Sequence, residues 1–124
     1  MTTNSINQAS FNQLKLNRPH GLMFHHFHDK DHLKGQGSID RSEFRSIIKF
    51  YLNNFNILSA EIFLNKFLNK SLEKKDTCIT FDDNLKCQYD VAFPILDEFQ
   101  IKAFWFVYTS PLNGDFERLE IFRY

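Results

Sequence analysis

Two adjacent carboxylates close a short apolar run in this chain, and that junction narrows the possible folds more than any other stretch. Thr80-Phe81-Asp82-Asp83-Asn84 follows Cys78-Ile79, so a strand-sized run ends abruptly in charge. Tyr89 to Phe99 then has helical spacing, and Ala103-Phe104-Trp105-Phe106-Val107 is a second apolar run. Strand, helix and strand within about 30 residues make a βαβ unit with parallel strands and a right-handed crossover. The stretch 101–107 is apolar on both faces after Lys102, the pattern of a parallel strand covered by helices. Tyr89, Ala92, Phe93, Leu96 and Phe99 form the expected buried stripe of the helix, and Pro94 inside it predicts a kink or a late helix start.

The chain upstream supplies more elements of the same kind. Gly21 to Phe27 reads as a first strand and His28 to Ser38 as a polar loop with Gly35 and Gly37. Asp40 and Glu43 have capping-box spacing at the start of a helix, with Phe44, Ile47, Ile48, Tyr51 and Leu52 on one apolar face. Ile57-Leu58 is a short extended piece. Ser59 caps a second helix whose Ile62, Phe63, Leu64 and Phe67 are expected to face inward. Asn69 to Asp76 is a charged connection. Residues 1–20 are polar and read as a flexible N-terminal arm with a short helix near Phe11 to Leu16, and 116–124 is a short mixed segment.

Composition excludes several classes. The 124 residues suit one domain, and the 15 basic and 15 acidic residues give no net charge, which argues against nucleic-acid binding. No run reaches the roughly 18 apolar residues of a membrane helix. Met1 to Asn17 lacks the basic start and apolar middle of a secretory signal, so a cytoplasmic location is expected. Cys78 and Cys87 then read as free buried thiols rather than a disulfide.

Side by side at a strand tip, Asp82 and Asp83 repel each other, and partial burial raises at least one pKa unless something compensates. Successive residues at a strand end point in different directions. One carboxylate can therefore hold a metal while the other takes a proton from water. Asn84 tolerates the left-handed backbone of a sharp turn. The alternative is that both acids simply cap the following helix.

Thr80-Phe81-Asp82-Asp83, with Tyr89, Ala92, Pro94-Ile95-Leu96 and Ile101 to Val107, resembles the first motif of the polysaccharide deacetylases, the NodB-homology family. Met23-Phe24-His25-His26-Phe27 is similar to the Tyr-His opening strand of many members, and Gln36-Gly37-Ser38-Ile39 fits a bacterial surface-polysaccharide branch. The resemblance spans roughly residues 21 to 112. It implies an α/β fold: the N-terminal portion of an incomplete (β/α) barrel of the glycoside hydrolase/deacetylase type. Residues 21–124 would be a partial, truncated deacetylase domain. It further implies metal-dependent hydrolysis of N-acetyl groups on a polysaccharide or oligosaccharide, with Asp82 as catalytic base and Asp83 as ligand of a divalent metal, zinc. His25, His26 and Asn84 become candidates for the substrate cleft.

The chain departs from that pattern in two ways. Asn84 stands where the family has Gly. No histidine follows His32, so the later His-Ser/Thr-x-x-His ligands and the motifs for the oxyanion donor and general acid are missing. A full barrel takes about 250 residues. A partial one is expected to be inactive alone and to self-associate through open strand edges. Two other readings stay open: a non-catalytic remnant, or a small metal-binding module. The latter would use His20, His25, His26, His28 and His32 with Asp29 and Asp31, a set that suits zinc, nickel or copper unless it is only a solvated loop.

Overall fold

The computed structural model describes residues 18–115 of the chain. The expectations for residues 1–17 and for 116–124 lie outside the described residues. In chain order the elements are β1 (His20–Phe24), α1 (Arg41–Asn54), β2 (Asn56–Ile57), α2 (Ala60–Leu68) and β3 (Asp76–Phe81). A π-helical turn (Gln88–Ala92) then runs into α3 (Phe93–Glu98), followed by β4 (Phe104–Trp105) and a 3-10 turn (Ser110–Asn113).

All strand pairings are parallel, and β3 is the hub. It pairs with β1 along its length, with β2 at its N-terminal end and with β4 at its C-terminal end. The expected β3–helix–β4 unit is present, with Thr80 and Phe81 opposite Phe104 and Trp105. Parallel strands need neighbours and cover on both faces, and β3 is buried at nearly every position.

One face of the sheet carries an aromatic core. Phe44 from α1 meets Phe24 and Phe27 edge-on at 4.9 and 5.1 Å, and Phe81 stacks on Trp105 at 4.3 Å. Ile48, Ile79, Val91, Ala92 and Ile95 complete it. Alternation along β4 turns Phe104 to the opposite face, where Phe63 of α2 meets it. Both helix starts follow the sequence. Asp40 and Glu43 form a complete capping box, and the Ser59 hydroxyl accepts from the Ile62 amide.

Four expectations are corrected. The first strand ends at Phe24, and Phe27 instead forms an isolated bridge with Ile39. Strand 101–107 shortens to Phe104–Trp105, extended only by the Phe106 amide bonding to the Phe81 carbonyl, because β3 ends there. Ile62, Leu64 and Phe67 of α2 are exposed, because no described residue covers that side of the helix. In the last helix Tyr89 and Phe93 are exposed while Gln88, Val91, Ala92, Ile95 and Leu96 are buried. The wide π turn rotates the helix register ahead of α3, which starts late with Pro94 in its first turn, as the proline predicts.

Candidate active site

Asp82 and Asp83 follow the last residue of β3, where the chain turns sharply. Asp83 and Asn84 both take left-handed backbone, at φ 64° and 54°. Asp and Asn adopt this conformation more readily than other non-glycine residues, at a cost of about 1 kcal/mol or more each. Two in succession mark a strained junction of the kind found at functional sites.

Neither acid caps the next helix. The π turn begins at Cys87 without a side-chain cap, and among the described residues no backbone amide bonds either carboxylate. Asp83 instead meets His25, one residue beyond β1, with Nε2 and Oδ2 2.8 Å apart. Both side chains are partly exposed. The pairing of Phe24 with Phe81 makes this contact possible, because it brings the tips of β1 and β3 level. The Asp82 carboxylate has no hydrogen-bond partner among the described residues and is partly exposed. Asp83, Asn84 and Leu85 form one wall of a cleft of about 380 Å³ whose other wall is Val107, Tyr108 and Leu112. That volume lies within the roughly 300–1,000 Å³ of small-ligand sites.

Gln88 is the residue that the sequence reading missed. It is fully buried. Its Nε2 donates to the carbonyls of His25, at 2.8 Å, and Asp82, at 2.6 Å. Its Oε1 accepts from the Leu85 amide at 3.1 Å. One amide side chain thus ties the two strand tips together and closes the Asp82–Leu85 turn. The only signal in the sequence was a polar residue beside an apolar helical stripe.

The histidines disperse. His20 packs edge-on against Tyr51 and Phe55 at the start of β1. His26 is buried, its ring 4.4 Å from that of His25, and neither residue is among those that line the cleft beside Asp83. His28 contacts Ser38, and His32 contacts Asp90, which Lys86 also holds. Asp90 lies below the ordinary carboxylate range because Lys86 and His32 stabilise its charge. Cys78 and Cys87 are both buried, and burial pushes the Cys78 thiol up to about 11.

A catalytic zinc takes three protein ligands and keeps one position open. Asp83 and His25 offer two donors of the right chemistry, and no third joins them among the described residues. The described residues therefore do not complete such a site at the carboxylate pair. A three-donor group does occur at the start of α1, formed by His28, Asp40 and Glu43.

The mixed α/β fold with its parallel sheet has counterparts among solved structures. The structure is similar to IcaB from Ammonifex degensii, with a TM-score of 0.64 and 22% identity over 73% of this chain and 38% of that one. It is also similar to a de-N-acetylase from Aggregatibacter actinomycetemcomitans, with a TM-score of 0.59 and 21% identity over 79% of this chain and 40% of the other. At these identities the likeness is one of fold, and the chain spans about two fifths of the length of each structure. No protein-family model matches the chain, and comparison with curated proteins gives no match. No helix among the described residues is long and apolar enough to cross a membrane.

Proposed function

We propose that the chain is the N-terminal sector of a polysaccharide-deacetylase-type barrel, presenting the base and one metal-ligand side of a site that acts on an N-acetylated sugar. The observation that carries this reading is the pairing at the strand tips: Asp83 against His25 at 2.8 Å, with Asp82 beside it unbonded among the described residues and a cleft opening next to Asp83. Asp82 has the freedom to accept a proton from water, which a carboxylate bound to helix amides would lack. Asp83 is oriented by His25. Asn84 and Tyr108 supply polar groups for sugar hydroxyls, and Val107 and Leu112 supply an apolar wall for an acetyl methyl group.

When bound, a divalent metal such as zinc would polarise the amide carbonyl and acidify water. The donors that complete its shell lie outside the described residues, so Asp83 and His25 are one side of the site and not the whole of it. The resemblance of Thr80 to Asp83 to the first deacetylase motif and the fold shared with a de-N-acetylase both support this substrate class. The uncovered side of α2, together with exposed Met23, Phe106 and Val107, fits a sector whose remaining strands and helices are supplied from elsewhere.

Acetate release from N-acetylglucosamine oligomers, with zinc added to the full chain, tests the reading. The expected result is no release above background. Release that persists in Asp82→Asn would overturn the assignment of the base.

A further inference from the structure

We propose that His28, Asp40 and Glu43 form a separate site for a zinc-class divalent cation, stapling the 28–40 loop to the start of α1. One donor atom from each residue lies within 4.8 Å of the others. Ligands about 2.0–2.2 Å from a tetrahedral zinc sit about 3.4 Å apart, so side-chain movements on the order of an ångström close the group.

The backbone holds the three together. The His28 amide donates to the Ile39 carbonyl at 3.0 Å, and the Ile39 amide donates to the His26 carbonyl at 3.2 Å. His28 and Asp40 are thereby neighbours across two chain segments, and the first turn of α1 adds Glu43.

Hydrogen bonding also fixes which atoms are free. The Ser38 hydroxyl is nine-tenths buried and has one proton. Its shortest acceptor is the Gly35 carbonyl at 2.8 Å, against 3.0 Å to His28 Nδ1. With that proton given to Gly35, the tautomer that fits Ser38 carries its proton on Nδ1 and has its lone pair on Nε2. This is how second-shell partners orient metal-binding histidines. Asp40 uses Oδ1 to accept from the amides of Ser42 and Glu43, and Glu43 uses Oε2 to accept from the Asp40 amide. Each carboxylate keeps a second oxygen with no partner among the described residues.

The capping box accounts for the two acids but not for the imidazole that stands beside them. One imidazole with two carboxylates suits zinc, nickel or cobalt better than calcium or magnesium, which take oxygen ligands. The positive end of the α1 dipole opposes a cation, and two carboxylate charges outweigh its half charge.

The test uses the full chain titrated with zinc chloride, reading both binding and the thermal midpoint against an EDTA control. Glu43→Gln is the informative variant, because Gln keeps the capping box while removing the anionic donor. Its metal-free midpoint should match the wild type, while its zinc affinity should fall by about tenfold or more. His28→Gln should weaken zinc comparably, Ser38→Ala should do so by about tenfold, and calcium should not shift the midpoint. Asp83→Asn should retain this zinc, which separates the site from the strand-tip pair. Zinc binding that is unchanged in Glu43→Gln and His28→Gln, lost in Asp83→Asn, or absent from the wild type would overturn the proposal.

Discussion

Replacing Gln88 by Leu removes the clamp on the candidate active site while nearly preserving side-chain volume. Three polar groups lose their partner: the carbonyls of His25 and Asp82 and the amide of Leu85. A buried polar group left unsatisfied costs roughly 1–3 kcal/mol. These three lie near the rim, where water reaches them after small movements, so the lower figure applies and the sum is about 3 kcal/mol. With a urea slope of about 1.5 kcal/mol/M, the unfolding midpoint should fall by about 2 M. Amide hydrogen exchange should also quicken locally at Asp82 to Leu85, because the left-handed turn loses the bonds that hold it. A midpoint within about 0.3 M of the wild type, with exchange at these amides unchanged, would refute the claim that Gln88 builds the site.

Other outcomes follow from the same contacts. Asn84→Gly should be neutral or stabilising by up to about 1 kcal/mol in urea unfolding, since glycine relieves the left-handed strain, whereas Asn84→Val should destabilise by more than that. Burial pushes the Asp76 carboxyl up, but the Glu73 amide, the Lys66 ammonium and the Asn56 amide outweigh it and hold the group below its ordinary value. The stability this gives is complete above about pH 4 and is lost as pH falls through the depressed folded value, so the urea midpoint of the wild type should drop on acidification more than that of Asp76→Asn. Cys78 should resist a thiol reagent at pH 8 in the native chain and react on unfolding, because it is buried and its thiol is held above the ordinary range. Phe67→Glu should reduce self-association in sedimentation velocity if the exposed face of α2 drives it.

The sequence carried the parts of the fold that depend on local chemistry. The capping box at Asp40, the cap at Ser59 and the parallel pairing of the Asp82 strand with the Phe104 strand are each legible from spacing alone. What it could not carry were relations settled in three dimensions. Tyr89 and Phe93 sit on the helical stripe, yet a π turn rotates them outward. Ile62 and Phe67 have the pattern of a buried face, and burial needs a partner that spacing does not supply. The five histidines are close in sequence, but β1 and the loop after it send them to different neighbours, and only His25 reaches the acids. Gln88 was silent because its role depends on two carbonyls from different strands meeting at one point.

In the proposed function the tips of β1 and β3 present Asp82, Asp83 and His25 to an N-acetylated sugar. Residue-resolved chemical-shift mapping of the full chain with an N-acetylglucosamine oligomer, and with its de-N-acetylated counterpart, tests this most directly. The predicted result is perturbation confined to His25, Asp82 to Leu85 and Val107 to Leu112, stronger for the acetylated oligomer. Shifts scattered over the surface, or none at those residues, would contradict it.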